Sequence, residues 1–428
     1  MFIVTLFFVH LTISPIATIP RYQLSINPLD NQSLSMTYTN LYINGVLSDI
    51  SVDNGIITNI VPAASPNGSR AVALPAMANM HTHSAMSLLR SAGSGLPLFQ
   101  WLNDVIFPAE AKLTADDIYL GSCDACDEML HTGTSAFNDM YFCIDKTILA
   151  AHQAAMQGNI ALSVTDADFN NVDNMVAQYM NAVETIQKLG NQSITTSISP
   201  HAIYTVSARN LIYLADFARE HNTLFHMHIS ETLKEREDCI SQHGLPPVLY
   251  LEKLGVLDKV GDRFIGAHAL WLDDDEIKVL ASHNATVVHC PNSNLKLGSG
   301  HHFLYTEMRD AGVNITLGTD GCASSDNLDM IEAMKIMSLL QKGFRNDPSI
   351  LPASEVFDVA TKNGRKALRL PDNSIAVGNT ACFFTVDLNQ RVFKGIDLDN
   401  TNPDDLHNIF LNRLIYAANG NYVSNTIC

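Results

Sequence analysis

The sequence predicts an α/β protein whose main body is a (β/α)8 barrel. Eight short runs of apolar and β-branched residues recur along the chain, with the length and composition of buried strands. Amphipathic segments such as ARNLIYLADFAREHN separate the runs, as helices do between parallel strands. Histidine and acidic residues follow the ends of most runs, and barrels of this class carry their active sites at that end.

The composition is that of a compact globular protein. Of the 428 residues, 46% are hydrophobic and 16% are charged, so the chain can bury a large core. The formal net charge of −18 argues against a phosphate-backbone partner, because binding to nucleic acid requires a basic surface. We therefore expect a small-molecule substrate, no nucleic-acid partner and, for the folded part, no membrane partner; a homo-oligomer fits the sequence equally well.

Residues 1–35 are expected to be an N-terminal extension or a signal-like segment. MFIVTLFFVHLTISPIATIP carries no charge and has an apolar centre like that of a signal peptide. It lacks the positively charged start of such a signal, and it is too interrupted for a membrane span. We favour an extension outside the folded domain and a cytoplasmic location, with export as the alternative.

The eight cysteines are scattered, mostly within apolar patterns, which indicates reduced thiols rather than a disulfide framework. Cys123 and Cys126 form a CxxC pair in a stretch of helical periodicity. Since no second pair completes a structural zinc site, we interpret both as ordinary helix residues.

The residue pattern of 36–72 predicts short strands and turns. Asn44-Gly45 and Asn54-Gly55 lie between strand-like stretches and are strong hairpin signals. The pattern then changes to that of the barrel, which we expect to span 73–376. Its eight strands are predicted at 73–83, 134–140, 159–168, 194–202, 223–231, 263–270, 285–294 and 314–321.

The first predicted barrel strand ends in His81-x-His83. Strand side chains alternate, so residues two apart project to the same side, here the mouth of the barrel. A histidine from the fifth strand and Asp320 from the end of the eighth would complete a site for one divalent metal ion. Such ligands suit Zn²⁺ or Fe²⁺, with an open position for water.

The fifth strand offers two histidines with the same side-chain parity. His228 is favoured because HISE places Glu231 three residues later, just beyond the strand end, where it could reach a bound substrate. His226 lies deeper in the strand and remains the alternative.

Six sequence blocks together resemble one family. In chain order they are PAMANMHTHSAMSLLR, WLNDVIFPAE, SPHAIYTVS, HMHISET, HCPNSNLKLGSG and LGTDGCASSDNLDM. Over residues 36–428 the chain resembles the amidohydrolase superfamily, and within it the methylthioadenosine/S-adenosylhomocysteine deaminases and related chlorohydrolases. This resemblance implies a (β/α)8 barrel with a small β-sandwich built from both chain ends, residues 36–72 and 377–428.

The resemblance also implies roles for individual residues. The implied metal ligands are His81, His83, His228 and Asp320. The implied catalytic residues are the proton shuttle Glu231, the water polariser His268 and the proton acceptor Asp320. The implied substrate contacts are Glu110 and His201, and Trp101 in FQWLND is either a wall of the same pocket or part of the core.

The implied reaction is hydrolytic deamination of an adenine-type nucleoside or a related aminated heterocycle, with release of ammonia. Metal coordination makes hydroxide available near neutral pH, and a general acid protonates the ring nitrogen beside the attacked carbon. Dinuclear relatives use a carboxylated lysine at strand four. ITTSISPHA contains none, which favours a single metal ion.

Two departures from the family pattern concern the substrate and the C-terminal sheet. Many of these deaminases carry arginines around strand three that engage the amino-acid tail of S-adenosylhomocysteine, whereas no Arg or Lys lies between Lys146 and Lys188 here. A buried carboxylate without a cationic partner is disfavoured, so methylthioadenosine or adenosine fits better. The chain also stops at NYVSNTIC, where relatives continue, so we expect the C-terminal sheet to lack a strand.

Other functions remain open at this stage. The same site could deaminate guanine or a pterin, or remove chloride from a triazine, because only the leaving group would differ. A catalytically silent barrel used as a scaffold is the non-enzyme alternative, although all four implied ligands are present. Zinc deaminases that flip bases out of nucleic acid need H-x-E followed by P-C-x-x-C, which this sequence lacks.

Overall fold

The computed structural model describes residues 35–64, 70–300 and 303–428. Within these residues the strands are β1 Ser35–Ile43, β2 Val46–Asp53, β3 Ile56–Pro62, β4 Ala71–Pro75, β5 Met77–Thr82, β6 Thr134–Tyr141, β7 Gln157–Val164, β8 Ile194–Pro200, β9 Phe225–Ile229, β10 Phe264–His268, β11 Thr286–His289, β12 Asn314–Leu317, β13 Phe383–Asp387 and β14 Val423–Ile427. The α-helices are α1 Leu98–Trp101, α2 Phe107–Glu110, α3 Ala115–His131, α4 Ile144–Gln153, α5 Val172–Leu189, α6 Ala208–Glu220, α7 Leu233–His243, α8 Pro247–Lys253, α9 Val256–Val260, α10 Asp274–Ser282, α11 Pro291–Lys296, α12 Tyr305–Ala311, α13 Cys322–Ser325, α14 Met330–Arg345, α15 Ala353–Ala360, α16 Lys362–Ala367 and α17 Pro403–Ala417.

Two four-stranded parallel sheets carry the residues that the sequence singles out. One has the strand order β5-β6-β7-β8 and the other β12-β11-β10-β9. Hydrogen bonds join them at both edges: the His228 N–H donates to the His201 carbonyl at 3.0 Å, and the Asp320 N–H donates to the His81 carbonyl at 2.9 Å. The largest hydrophobic core links both sheets to the surrounding helices, which explains why these strands are nearly continuous apolar runs. The prediction of an α/β protein with parallel strands is confirmed.

The predicted first barrel strand, 73–83, is in fact two strands that belong to different sheets. β4 pairs with β1 and β13, whereas β5 pairs with β6. The chain changes sheet at Ala76, directly after Pro75, which has no N–H to donate to a continuing ladder. Each of the other seven predicted runs overlaps one observed strand; β6 ends one residue later than predicted, and the other six strands end two to five residues earlier.

Both ends of the described chain contribute to a six-stranded sheet with the order β14-β13-β4-β1-β2-β3. The two predicted hairpins join β1 to β2 and β2 to β3. At Asn44-Gly45 the φ angles are 47° and 78°, and at Asn54-Gly55 they are 50° and 76°. Positive φ at both central residues is the type I′ geometry for which Asn-Gly is suited. The sandwich arrangement of these two segments stays a prediction.

Residues 377–428, expected to form strands and turns, also contain the 15-residue helix α17. The Asn402 side chain accepts a hydrogen bond from the Asp405 N–H, and Pro403 occupies the first turn, so the start of the helix is well capped. Leu406, Phe410 and three further apolar residues of the helix are buried. A 3.6-residue apolar period therefore outweighs the turn-rich composition around it.

Among the described residues, no helix is long and apolar enough to cross a membrane. The N-terminal apolar segment lies outside the described residues, and the cytoplasmic location stays a prediction. All eight cysteines are free thiols, and Cys123 and Cys126 lie within α3 as ordinary helix residues.

Candidate metal centre and substrate pocket

Three histidines and one aspartate converge where β5, β9 and β12 end. His81 lies in β5, His83 follows that strand, His228 lies in β9 and Asp320 comes three residues after β12. The His83 Nε2 atom is 3.3 Å from Asp320 Oδ1 and 3.3 Å from His228 Nε2. The His81 Nε2 atom is 3.5 Å from the same Asp320 oxygen. Four side chains that are distant in sequence therefore share one small volume.

Hydrogen bonds on the far side of the rings fix the tautomers of two of these histidines. The Nδ1 atom of His83 donates to the Met140 carbonyl at 2.6 Å, and that of His228 donates to the His201 carbonyl at 2.8 Å. A carbonyl oxygen only accepts, so each Nδ1 carries the hydrogen, and the neutral form of each ring presents an Nε2 lone pair to the cluster. Two lone pairs and a carboxylate oxygen at these distances repel one another unless a cation lies among them.

A divalent cation fits this donor set. The Nε2 atom of His81 is buried and has no hydrogen-bond partner, although a buried polar nitrogen normally has one. Burial holds the pKa of His81 and of His228 well below the ordinary value, and neighbouring histidines lower both further, so these rings are neutral near pH 7. Neutral imidazole and carboxylate ligands suit Zn²⁺ and Fe²⁺. His268 also lies close to the cluster, because a ring nitrogen from each of His81, His228 and His268 lies within 4.8 Å of the others.

The backbone is strained at three positions around the cluster. Ser230, His268 and Asp320 have φ angles of 50°, 75° and 68°, which residues other than glycine rarely adopt. Each residue in such a conformation destabilises the folded state by about 1–3 kcal/mol, and residues of this kind are most frequent at functional sites. Asp320 is held in place by the Ser293 hydroxyl, which donates to Oδ2 at 2.7 Å.

Glu231 and His268 form a second buried pair, with Oε2 and Nε2 3.7 Å apart. The Asn294 side-chain nitrogen donates to His268 Nδ1 at 2.9 Å, which leaves the hydrogen of the neutral ring on Nε2. Burial and the negative charge of Asp320 raise the pKa of Glu231 to about 8, although a hydrogen bond from Ser299 opposes them. Glu231 therefore holds a proton at neutral pH and can donate it.

Glu235 supports this pair and was not found from the sequence. Its two carboxylate oxygens accept the Ser230 and Glu231 N–H groups, both at 2.8 Å, and so hold the loop that carries the Glu231 side chain. The spacing Thr232-x-x-Glu235 is that of a helix-capping box, which could have drawn attention to it. Ser293, Asn294 and Ser299 were also missed as individual residues, although all three lie in the block HCPNSNLKLGSG.

A cavity of about 270 Å³ opens over the cluster, and its lining includes Glu231 and three of the candidate ligands, His83, His228 and Asp320. Trp101 and Glu110 also line it. Trp101 is 5% exposed and its indole N–H donates to the Ala92 carbonyl at 2.7 Å, so it is both a pocket wall and part of a hydrophobic core. Burial raises the pKa of Glu110, whereas the Tyr141 hydroxyl and His83 lower it.

His201 lines the same cavity and presents an acceptor to it. The Thr205 hydroxyl donates to the Ala202 carbonyl at 3.1 Å, so towards His201 Nδ1, 3.0 Å away, this hydroxyl can only accept. His201 Nδ1 therefore carries the hydrogen and Nε2 is free to accept one. Burial first, and then His83 and His268, lower the pKa of His201 to about 4, so the ring is neutral.

His226 lies in β9 and His289 in β11, but neither lines the cavity. His226 has its Nε2 atom 3.0 Å from His81 Nδ1, on the opposite side of that ring from the cluster. His289 stacks on Phe303 with ring centroids 4.1 Å apart. His301 and His302 lie outside the described residues.

The carboxyl ends of the parallel strands carry a cluster suited to a metal ion, a protonated carboxyl group and a cavity. Together these features define a metal-dependent hydrolase. Residues 72–428 match the amidohydrolase family. The chain belongs to this family, and the resemblance inferred from the six blocks is confirmed.

The chain is similar to several characterised proteins over most of its length. It is 41% identical over 363 residues to a 5′-deoxyadenosine deaminase of Methanoregula boonei, covering 85% of this chain and 79% of the relative. It is 40% identical over 361 residues to 5-methylthioadenosine/S-adenosylhomocysteine deaminase 1 of Archaeoglobus fulgidus, covering 84% and 82%. Among solved structures, an adenosine deaminase from Xanthomonas campestris with bound zinc superposes with a TM-score of 0.79 at 31% identity, covering 89% and 86% of the two chains.

Proposed function

We propose that this protein is a metal-dependent hydrolytic deaminase of an adenine-type nucleoside and releases ammonia. The observation that carries the proposal is the position of Glu231, a buried carboxyl group with a pKa raised to about 8, beside a cluster of neutral imidazole and carboxylate groups that needs a cation. Deamination of an aromatic amidine requires these two parts, a proton donor for the ring nitrogen and an activated water. The relatives described above are deaminases of adenine nucleosides, which supports the same reaction class.

In this proposal one Zn²⁺ ion, or Fe²⁺ in its place, is held by four side chains: His81, His83, His228 and Asp320. The buried Nε2 atom of His81 without a partner supports this ligand set, as does the zinc in the Xanthomonas campestris relative. When bound, such a cation acts as a Lewis acid and lowers the pKa of water to about 7.

Three side chains then move protons around the attacked carbon. Asp320 Oδ1 accepts a proton from the attacking water, and Glu231 donates its own proton to the ring nitrogen beside that carbon. His268, whose Nε2 hydrogen is set by Asn294, donates a hydrogen bond to the attacking oxygen. The proton held by Asp320 passes to the amino group and ammonia leaves, while the remaining hydroxyl proton returns to Glu231, so the overall change is exchange of the amino group for the oxygen of water.

The cavity lining favours a substrate with a neutral group at the ribose 5′ position. Among the described residues that line the cavity, none is Lys or Arg, whereas Glu110 and Asp168 add negative charge. The carboxylate of S-adenosylhomocysteine would find no cationic partner there, and an unpaired buried charge is costly. Adenosine, 5′-deoxyadenosine and methylthioadenosine fit this lining, with Glu110 and the His201 acceptor available for ribose hydroxyl and purine groups.

We also infer that the two parallel sheets form one closed (β/α)8 barrel. The backbone hydrogen bonds from His228 to His201 and from Asp320 to His81 link both pairs of edge strands, which supports closure. The candidate site then lies at the carboxyl ends of the barrel strands, as in other enzymes of this class. The domain boundaries follow as a barrel over 73–376 and a smaller β domain from the two chain ends.

The test is a substrate panel with the purified, zinc-loaded protein. Ammonia release is followed with adenosine, 5′-deoxyadenosine, methylthioadenosine, S-adenosylhomocysteine and guanine, and chloride release is followed with a chlorotriazine. We expect kcat/KM to be highest for one of the first three. A higher kcat/KM for guanine or for dechlorination would replace the proposed reaction with another of the same family, and no turnover in the presence of bound zinc would refute it.

A further inference from the structure

Cys382 and Cys428 face each other across the β13–β14 ladder. The strands are antiparallel, with Phe383 opposite Ile427 and Phe384 opposite Thr426. The same register brings Cys382 opposite Cys428, one residue beyond the end of each strand. Directly opposed residues in antiparallel strands have Cα atoms about 4.5–5.5 Å apart. A disulfide spans about 4.4–6.8 Å between Cα atoms, so the two thiols can be linked without rearranging the backbone.

A buried cation lies beside this pair. Cys382 Sγ is 3.8 Å from an Arg365 guanidinium nitrogen and 3.0 Å from the Ser135 hydroxyl. Arg365 is 2% exposed. Its other side-chain hydrogen bonds go to the neutral oxygens of Pro371 and Gln157, and its Nη2 atom has no hydrogen-bond partner. A buried guanidinium is costly without a negative partner. A thiolate at Cys382 would supply that partner.

The electrostatics separate Cys382 from the other cysteines of the chain. A hydrogen bond from the Cys428 thiol, together with Arg365 and Ser135, lowers the pKa of Cys382 to about 6. Burial raises the pKa of Cys123, Cys126, Cys143, Cys239, Cys290 and Cys322. A thiolate next to a thiol is the arrangement found in pairs that exchange with external disulfides.

We propose that Cys382 and Cys428 are a modification site, a thiol pair that is converted to a disulfide by low-molecular-weight disulfides such as oxidised glutathione. Cys428 is exposed and reacts first. The hydrogen bond to Cys382 and burial raise its pKa, so its proton passes to the Cys382 thiolate as Cys428 attacks one sulfur of glutathione disulfide and forms a mixed disulfide. The glutathione thiolate that leaves takes up this proton, which restores the Cys382 thiolate. The Cys382 thiolate then attacks the Cys428 sulfur and displaces the second glutathione. Two protein thiols are oxidised to one disulfide, and one glutathione disulfide is reduced to two thiols, so no other oxidant is needed.

The disulfide would hold an edge strand in place. β14 is the last strand of the six-stranded sheet, with β13 as its one partner. Edge strands fray readily because one side of the ladder is unpaired. Thr426 in β14 donates to the Leu130 carbonyl in α3 at 2.6 Å, so the link would also secure this contact with the barrel side of the molecule.

The test uses the full-length, zinc-loaded protein in oxidised glutathione at pH 7.5. We expect the number of thiols titrated after denaturation to fall from eight to six. A non-reducing digest should give one cross-linked peptide pair that joins Cys382 to Cys428. Amide exchange in Val423–Ile427 should slow by about tenfold, since local opening of the strand is suppressed. Activity should not change, because neither cysteine lines the cavity.

Two variants serve as controls. Cys123→Ser, which removes a partly exposed cysteine of α3, should keep the cross-link, with seven thiols falling to five. Cys428→Ser should abolish the cross-link and keep the buried Cys382 unmodified. The proposal is overturned if wild-type protein keeps eight thiols, if a different pair forms, or if glutathione stays on Cys428 and no cross-link follows. Because the wild-type digest decides among these outcomes, a folding defect in a variant would not leave the proposal untested.

Discussion

The Nε2 atom of His226 lies 3.0 Å from the Nδ1 atom of His81, so the two rings share one hydrogen bond behind the candidate metal cluster. If His81 binds a cation through Nε2, its Nδ1 carries the hydrogen and His226 must accept it. The Asn138 side-chain nitrogen donates to the other nitrogen of His226 at 3.0 Å, which favours the opposite direction for the shared bond. Binding of a cation at His81 Nε2 therefore reverses the shared bond and places the hydrogen of His226 Nδ1 opposite the Asn138 amide, whose orientation is held by the Met80 carbonyl and by Asn159.

The first prediction concerns this shared hydrogen bond. His226→Leu should weaken zinc binding by about 10–100-fold, the usual effect of removing a partner that orients a ligating histidine. Zinc affinity measured by competition with a chromogenic chelator checks this directly and does not depend on turnover. His289→Leu is the matched control, because His289 is equally buried and stacks on Phe303 instead. Equal losses in both variants would mean that His226 acts only through packing.

The second prediction concerns the proton donor. Glu231→Gln should lower kcat by about 10²–10⁴-fold, because the amide retains the shape of the side chain but cannot transfer a proton. Zinc content should stay at one ion per chain, measured by atomic emission, since Glu231 is not among the four candidate ligands. Near-normal kcat with full zinc would exclude Glu231 as the acid.

The third prediction is a pH profile. Glu231 is active as its acid form, and burial together with Asp320 raises its pKa to about 8, so the active form is present below that pKa and is lost as the pH rises through it. A bound cation lowers the pKa of a nearby carboxyl group, so we expect kcat/KM to fall at or below about pH 8. Stopped assays of ammonia release from pH 5 to 10 test this. A profile that stays level up to pH 10 would contradict it.

The sequence was sufficient to predict the candidate site because the relevant signals are local. Strand parity and the ends of apolar runs are visible in a few residues, and they placed His81, His83, His228 and Asp320 at one end of the strands. The identity of the family added Glu231 and His268. Each of these residues lies within or just beyond a strand that the apolar pattern had already identified.

Other features depend on partners that are distant along the chain. The run 73–83 looks like one strand, and only pairing of β4 with β13 reveals that it serves two sheets. Ser299 and Asn294 act on Glu231 and His268 through hydrogen bonds between segments distant in sequence, which no sequence period encodes. The helix α17 was missed because turn residues flank its apolar face. Local patterns therefore predict which residues reach the site better than they predict what holds them there.

The last prediction tests why the amino-acid tail of S-adenosylhomocysteine is disfavoured. Asp168 follows β7, lines the cavity and is exposed, so an arginine there can reach a substrate carboxylate without being buried. We expect Asp168→Arg to raise kcat/KM for S-adenosylhomocysteine relative to methylthioadenosine by about tenfold, as one charge-assisted hydrogen bond to a carboxylate contributes about 1.5–3 kcal/mol. Asp168→Asn is the control: it removes the negative charge without adding a cation. It should change the ratio of the two kcat/KM values less than Asp168→Arg does. Asp168 accepts hydrogen bonds from Thr165, so thermal unfolding of both variants must be compared with wild type. If the ratio of the two substrates is the same in all three proteins, the charge of the cavity does not determine the choice between them.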